Sequence, residues 1–285
     1  MTKTKTWVEA HIKIDPGLAD TVSNDIFNLG AEGFEEVGDG LKIYFTEDLW
    51  NPSLLQSLID IISKFDPEFK DSRIHLKPVP FQDWNESWKE NFQLFHLANK
   101  IIIKPDWDDY NAKDDEIVIT ISPKMAFGTG HHETTQLVLL ALQKYIKQGH
   151  SLLDAGTGSG ILSILAAKLG ANNIIAFDND PIAIENAREN FNLNKIKNAY
   201  HLFCGTLENV KKNEYDIIVA NIDRNVLLKF PEKLIPYIKP GGTLILSGLL
   251  SRDEDKILTA YEEFDWQVIE KDQKGSWIVL TLTHS

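Results

Sequence analysis

A short run of glycines in the middle of the chain has the spacing of a ligand-binding turn. Residues 152–160 read LLDAGTGSG, with glycines at 156, 158 and 160, and an apolar run of helical spacing follows. Because glycine has no Cβ, a ligand can lie directly against the backbone of such a turn. The spacing is shorter than the G-x-G-x-x-G of dinucleotide-binding turns, and no G-K-S/T follows, as a phosphate-binding loop would require. The turn is therefore predicted to bind a ligand other than NAD or ATP.

Two carboxylates accompany this turn. Asp154 comes just before the glycines, where it would repel a pyrophosphate and favours an uncharged or cationic ligand. Asp178 ends a second apolar run, residues 174–177, where a carboxylate can accept hydrogen bonds from both hydroxyls of a ribose. Turn, helix, strand and acid in this order predict a site for an adenosine-type ligand. Together they resemble the first two motifs of class I S-adenosylmethionine-dependent methyltransferases.

A second glycine-containing segment, residues 125–135, reads MAFGTGHHETT and opens an apolar helix. Its hydroxyls and its position at a helix N-terminus suit it to binding a small polar ligand. His131, His132 and Glu133 raise the alternative of a metal site. Adjacent residues rarely converge on one ion, however, and the helical H-E-x-x-H spacing is absent, so no metal is expected.

Asn221 is a further candidate for chemistry. It ends the strand-like run YDIIVAN at residues 215–221, and doubly wound sheets bind ligands at the carboxyl ends of their strands. An amide at that position could accept a hydrogen bond from an amine that is about to be methylated. The alternative is that Asn221 only closes the turn before Asp223, which would cap the next helix.

The elements that must position these residues belong to two different patterns. Residues 1–80 alternate between strand-like and helical spacing in the order βαββαβ, the ferredoxin-like arrangement, and contain no evident catalytic cluster. We expect this part to serve recognition. From residue 99 onward, short apolar strands alternate with helices, and two final runs at 266–271 and 276–282 predict an antiparallel edge hairpin. The expected fold is α/β: a Rossmann-like, doubly wound sheet with an edge hairpin, preceded by a small ferredoxin-like α+β domain.

Residues 81–98, between these two parts, are predicted to form a linker helix. Trp84 and Trp88 are four residues apart and would share one face of that helix. The face could simply pack on a neighbouring domain, or the helix could act as a hinge between domains.

Composition limits the partners. No apolar run approaches the ~18 residues of a membrane span, and no signal segment follows the first residues, so we expect a cytoplasmic protein that binds no membrane. Cys204 is the only cysteine, which excludes an internal disulfide and a cysteine-based zinc site, and we expect it to be buried. The net charge is −13, and acids outnumber bases both in residues 1–80 and in 81–285. A basic protein therefore suits this chain better as a partner than nucleic acid does.

Four segments resemble successive signatures of the PrmA family, which methylates the eleventh protein of the large ribosomal subunit. They lie at residues 125–135, 152–171, 176–194 and 217–222. The resemblance implies transfer of methyl groups from S-adenosylmethionine to lysine ε-amines and to the N-terminal α-amine of that ribosomal protein. It also implies a division into a substrate-recognition domain, a linker helix and a catalytic domain, at residues 1–80, 81–98 and 99–285.

The same resemblance implies particular site residues. Carried over by motif, the contacts with the cofactor fall on Thr135, Gly156, Asp178 and Asn221. We expect further cofactor contacts from the rest of the glycine run and of the preceding loop, at Asp154, Gly158, Phe127 and Gly128. Asn221 is also the candidate for positioning the amine in catalysis.

This chain departs from the family pattern at three places. Glu133 stands where the family commonly has Pro, and Thr157 where it often has Cys. Residues 221–224 read Asn-Ile-Asp-Arg instead of Asn-Ile-Leu-Ala. Because of this departure, the resemblance does not indicate which residues line the substrate channel. No dedicated general base is apparent.

Two alternatives share some of these motifs. A class I enzyme acting on RNA or on a small molecule would have the same cofactor motifs, and the net acidity counts against RNA. A non-catalytic nucleotide-binding module would fail to bind S-adenosylmethionine.

Overall fold

The computed structural model describes residues 7–284, apart from 16–17, 19–21, 23–24, 28, 80–91, 99 and 124–126. The chain divides into two units, residues 1–87 and 88–285. Each unit has its own buried core. Trp84 and Trp88, and most of the predicted linker helix, lie outside the described residues.

The first unit contains one antiparallel sheet of four strands. These are β1 (Trp7–Ile12), β2 (Gly33–Val37), β3 (Gly40–Thr46) and β4 (Ile74–Val79), in the spatial order β2-β3-β1-β4. Helical residues at 18, 22 and 25–27 lie between β1 and β2, and helix α1 (Pro52–Ser63) lies between β3 and β4. This is the ferredoxin-like order, as the sequence pattern predicts.

The core of this unit follows from strand and helix periodicity. Alternate residues of the central strands, such as Ile12 and Ile43, are fully buried together with Leu58 and Ile62 of α1. Helix α1 begins where Asn51 accepts hydrogen bonds from the backbone amides of Ser53 and Leu54, at 2.9 and 3.1 Å. The sequence and its local structure therefore agree in this unit.

The second unit begins with a sheet of three strands, β5 (Phe95–Leu97), β6 (Ile101–Pro105) and β7 (Ile117–Ile121). β5 and β6 are antiparallel, whereas β6 and β7 are parallel. Residues Phe95–Leu97 are thus a strand and do not continue the predicted linker helix. The reason is tertiary: three residues pair with Ile101–Ile103 across a turn in which Ala98 has a φ of 52°.

The main sheet of the second unit has seven strands. They are β8 (Leu152–Ala155), β9 (Ile174–Asp178), β10 (Tyr200–Cys204), β11 (Tyr215–Asn221), β12 (Ile238–Leu250), β13 (Trp266–Lys274) and β14 (Trp277–His284). Their order is β10-β9-β8-β11-β12-β14-β13, with the first five parallel and the last two forming an antiparallel hairpin at the edge. The predicted doubly wound sheet with an edge hairpin is confirmed.

Helices cover both faces of this sheet. They are α2 (Glu133–Tyr145), α3 (Ile161–Lys168), α4 (Pro181–Leu193), α5 (Arg224–Leu227), α6 (Pro231–Leu234) and α7 (Glu254–Glu262). Successive strand residues enter opposite cores: Leu152 packs with α2 and α3, whereas Leu153 packs with residues of α6 and α7. The central strands are therefore apolar on both faces, which explains their continuous apolar sequence. Within the described ranges, no helix is long and apolar enough to cross a membrane.

Candidate cofactor and amine site

The predicted site residues meet at one edge of the main sheet. β8 lies between β9 and β11, with Asp154 beside Ala176 on one side and beside Val219 on the other. The glycine turn (residues 156–160) follows the carboxyl end of β8, and Asp178 and Asn221 are the last residues of β9 and β11. Parallel topology thus brings together three segments that lie up to 65 residues apart in the chain.

The glycine turn lies against Ile222, which follows β11, and against Phe127 of the loop before α2. Gly156 and Gly158 have φ values of 75° and 54°, in the left-handed region that favours glycine. A Cβ at Gly156 would lie 2.2 Å from Cγ2 of Ile222, and one at Gly158 would lie 2.5 Å from the carbonyl oxygen of Phe127. Glycine at these positions is therefore required by packing within the protein, in addition to any ligand.

Asp178 is joined to the turn. Its Oδ2 accepts a hydrogen bond from the amide of Gly158 at 2.9 Å, and its Oδ1 accepts one from the amide of Asp180 at 3.0 Å. A carboxylate has about four acceptor positions, so two bonds leave capacity for two more. The half-buried side chain is therefore oriented by the turn and can still accept from the two hydroxyls of a ribose.

Asp154 lies beneath the turn and is completely buried. Its Oδ2 accepts hydrogen bonds from Oγ1 of Thr157 at 2.7 Å and from Oγ of Ser163 at 2.6 Å. Among the described residues, its Oδ1 has no partner. Burial raises the pKa of this carboxyl group to about 6. A cationic group of a ligand at Oδ1 would favour the ionised form.

The loop before α2 (residues 127–132) is joined to the turn through Ser159. The amide of Ser159 donates to the carbonyl of Phe127 at 2.9 Å, and its Oγ donates to the carbonyl of Gly128 at 2.5 Å. The ring of Phe127 is exposed. The loop leads to Thr135, in the first turn of α2. The buried Oγ1 of Thr135 has no partner within the described part of the chain.

Asn221 ends β11 with a buried Oδ1 that also has no partner in the ranges the structure describes. Asp223 caps α5 by accepting from the amide of Asn225 at 2.8 Å, as the sequence suggests. Closing the turn therefore does not use the amide oxygen of Asn221, which can accept a hydrogen bond from a ligand. Arg224, one of the departures from the family pattern, donates to Asp253 at 2.6 Å.

The two histidines of the loop lie in different surroundings. The ring of His131 packs between those of Phe92 and Phe95, each at 4.5 Å between centroids, and this burial lowers the pKa of His131. The ring of His132 lies 4.9 Å from that of Trp277. No group of three metal-binding side chains occurs in the residues described.

Several residues of the site do not stand out in the sequence. Ser163 is the polar residue in the otherwise apolar start of α3, ILSILAA, and this is the signal that could have found it. Asn186, Asn190 and Asn194 recur every four residues along α4 and its C-cap, and all three are buried.

Cys204 is exposed, so the expectation of a buried thiol is wrong: its strand, β10, is the edge strand of the sheet.

The polar groups of this site fit an S-adenosylmethionine-type ligand. Asp178 offers acceptor capacity for a ribose diol, and the buried Oδ1 of Asp154 offers an acceptor for a cation. The hydroxyl of Thr135 and the amide oxygen of Asn221 add two buried groups that need partners. Such unsatisfied groups are costly in a core, and those of Asp154 and Asn221, at the ends of neighbouring strands, indicate a binding site.

Known proteins of one family are similar to this chain. A family model described as ribosomal protein L11 methyltransferase (PrmA) matches residues 6–285. The ribosomal protein L11 methyltransferase of Listeria innocua is 37% identical over 261 residues, which cover 90% of this chain and 83% of that protein. Its counterpart in Acetivibrio thermocellus is 40% identical over 201 residues, 70% of this chain and 64% of that protein, so this match spans less than two thirds of the relative's length.

A solved structure is similar as well. The crystal structure of a ribosomal protein L11 methylase from Lactobacillus delbrueckii subsp. bulgaricus matches with a TM-score of 0.64 and 34% identity. The match covers 68% of this chain and 99% of that one.

Proposed function

Because the chain belongs to the PrmA family of ribosomal protein L11 methyltransferases, we propose that it transfers methyl groups from S-adenosylmethionine to ribosomal protein L11. The acceptors are lysine ε-amines and the N-terminal α-amine. The observation that carries this proposal is the pair of buried, unpartnered oxygens on Asp154 and Asn221, which lie at the carboxyl ends of the neighbouring strands β8 and β11.

Hydrogen bonds and unpartnered oxygens of this chain support several of the proposed cofactor contacts. Asp178, fixed by the amide of Gly158, accepts from the ribose hydroxyls, and Oδ1 of Asp154 accepts from the α-ammonium group. The hydroxyl of Thr135 bonds a polar group of the cofactor. Gly156 and Gly158 keep the turn close to its neighbours, and Phe127 and Gly128 form the adjoining wall. When bound, the cofactor supplies a methyl group that its sulfonium has already activated.

Asn221 positions the amine. Its Oδ1 accepts a hydrogen bond from the acceptor nitrogen and so directs the lone pair toward the methyl group, since alignment is the main requirement of a direct transfer. A lysine amine has a pKa near 10.4 in water and must lose a proton before attack. Removal from water at the buried end of β11 favours the neutral amine. No covalent intermediate with the protein is needed.

Residues 1–80, which form most of the first unit, recognise the protein substrate. This segment has a ferredoxin-like sheet and, like the rest of the chain, more acidic than basic residues. Since ribosomal proteins are generally basic, this charge attracts the free substrate and disfavours direct contact with RNA. The reaction takes place in the cytoplasm, where ribosomal proteins are synthesised.

A mass spectrum of purified ribosomal protein L11, incubated with this enzyme and S-adenosylmethionine, tests the proposal. We expect added methyl groups at lysines and at the N-terminus, and far fewer with the Asn221→Ala variant as the matched control. If the enzyme binds the cofactor and leaves the protein unmodified, the substrate assignment is wrong. If it binds no cofactor, the enzyme assignment is wrong.

A further inference from the structure

Helix α4 presents a row of buried asparagines to the edge strand of the three-stranded sheet. Asn194, at the helix end, accepts from the amide of Thr120 at 2.9 Å and donates to its carbonyl at 2.6 Å. Asn186 donates to the carbonyl of Ser122 at 3.1 Å. These carboxamides pair with the outer edge of β7 as a neighbouring strand would.

Asn190 differs from the other two because it also reaches the glycine turn. Its Oδ1 accepts from the amide of Ser122 at 2.8 Å, and its Nδ2 donates to the carbonyl of Ser159 at 2.8 Å. The side chain is fully buried. One carboxamide therefore joins the end of β7 to the turn that follows β8.

The glycine turn is thereby hydrogen-bonded to two different segments through Ser159. The amide and the hydroxyl of Ser159 donate to the carbonyls of Phe127 and Gly128 in the loop before α2. The carbonyl of Ser159 is joined to Ser122, the residue after β7, through the side chain of Asn190. Asn190 therefore supplies the link between the turn and the end of β7.

We propose that Asn190 is a positioning residue for cofactor binding, which holds the glycine turn in place against the end of β7. The inference rests on the proposed function, because it concerns the same cofactor site. Without this carboxamide, the amide of Ser122 and the carbonyl of Ser159 lose their shared partner, and the turn can move relative to the end of β7.

The test compares Asn190→Ala with Asn194→Ala. Both variants remove a buried asparagine that pairs α4 with β7, and Asn194 makes at least as many bonds with its side chain. A purely structural role would lower the melting temperature in both and leave the affinity for cofactor equal. We expect the dissociation constant for S-adenosylmethionine, measured by calorimetry, to rise about tenfold in Asn190→Ala and to stay within about twofold in Asn194→Ala.

Asn190→Asp sharpens the test and replaces Asn190→Ala if that variant does not fold. The carboxylate keeps the acceptor for the amide of Ser122 and loses the donor to Ser159, so it too should weaken cofactor binding. Amide hydrogen exchange of the cofactor-free proteins gives a readout independent of catalysis. Exchange at residues 158–160 should be faster in the Asn190 variants and unchanged in Asn194→Ala.

The outcomes separate this inference from the proposed function. If the unaltered protein does not bind S-adenosylmethionine, the proposed function fails, whereas the exchange experiment still decides the role of Asn190. If the unaltered protein binds and the Asn190 variants bind equally well, or if affinity falls in step with melting temperature in both variants, the inference is overturned.

Discussion

The glycine turn and the Asn221 segment (residues 221–224) leave the same edge of the sheet from neighbouring strands, but they are built differently. In the turn, the amides of residues 156–160 all donate to protein acceptors. In the Asn221 segment, the amide oxygen of Asn221 and Nε of Arg224 are buried without a partner in the described part of the protein. The turn is therefore fixed before any ligand arrives, whereas the Asn221 segment keeps an acceptor that a ligand must satisfy.

This difference matches a division of chemical labour. A buried polar atom without a partner costs about 1–3 kcal/mol, and a ligand that completes the bond removes this cost. A rigid turn suits a cofactor that binds in one orientation at every turnover. An open acceptor suits an amine that arrives from a separate protein. Four predictions test the contrast, from the largest expected effect to the smallest.

Gly156→Val should abolish cofactor binding. The new side chain would collide with Ile222, 2.2 Å from its Cβ position, at a φ of 75° that a β-branched residue avoids. Calorimetry with S-adenosylmethionine measures the loss, and circular dichroism checks the fold. Gly149→Val is the control, because Gly149 has a similar φ of 84° and open space around its Cβ position. Normal binding by a folded Gly156→Val protein would show that the turn need not be rigid.

Asn221→Ala should lower kcat by about 10²–10³-fold, because the amine loses the group that aligns it. Cofactor affinity should change much less than kcat does, since the turn is unaltered. Steady-state kinetics on ribosomal protein L11, together with calorimetry, separates the two quantities. Asn221→Asp keeps an acceptor oxygen in a side chain of the same size and should retain more activity than Asn221→Ala. A large loss of cofactor affinity with normal turnover would place Asn221 with the turn.

Asp178→Ala should weaken cofactor binding by about 1.5–3 kcal/mol, the scale of a hydrogen bond to a charged group. The ribose loses its acceptors, and the amide of Gly158 loses its partner. Asp180→Ala is a suitable control: it removes the N-cap of α4, where Asp180 accepts from the amide of Ile182, and should cost stability without loss of affinity. Equal affinity in Asp178→Ala and the unaltered protein would remove Asp178 from the ribose site.

Cofactor affinity should fall about tenfold between pH 7 and pH 5. Burial raises the pKa of Asp154 to about 6, so acidification protonates the group that accepts from the α-ammonium of the cofactor. Asp154→Asn should bind more weakly at pH 7 and lose the pH dependence in this window. Calorimetry across the pH series provides the measurement, and an unchanged slope in Asp154→Asn would assign the titration to another group.

The same raised pKa has a defined effect on stability. Between the unfolded value near 3.9 and the folded value about 6, the native state binds more protons at Asp154 than the unfolded chain does. The contribution of this group to the free energy of unfolding is therefore largest at low pH and declines as pH rises through about 6. Cofactor bound at Oδ1 should reduce this decline.

The sequence predicted those features that local spacing determines. The glycine run, the acid at the end of β9 and the final hairpin depend on residues close together in the chain, so their structures follow from turn chemistry and periodicity. The ferredoxin-like order of the first unit has the same basis. The contacts of the site residues with ligand and substrate stay predictions.

Other features depend on residues distant in the chain. Asn190 bonds Ser122 across 68 residues, and nothing near either residue indicates the pair. Phe95–Leu97 is a strand because Ile101–Ile103 pairs with it. The need for glycine at 156 comes partly from Ile222, a contact that no local pattern could indicate.

The asparagine row on α4 also affects how copies of this protein behave toward one another. An exposed edge strand offers unpaired amides and carbonyls to which a strand from another molecule can add, and this is a common route to aggregation. Asn194 occupies both backbone groups of Thr120 on β7, while Asn186 and Asn190 occupy those of Ser122, the residue after the strand. At these two residues the side chains of one helix leave no backbone group free for a strand of another molecule.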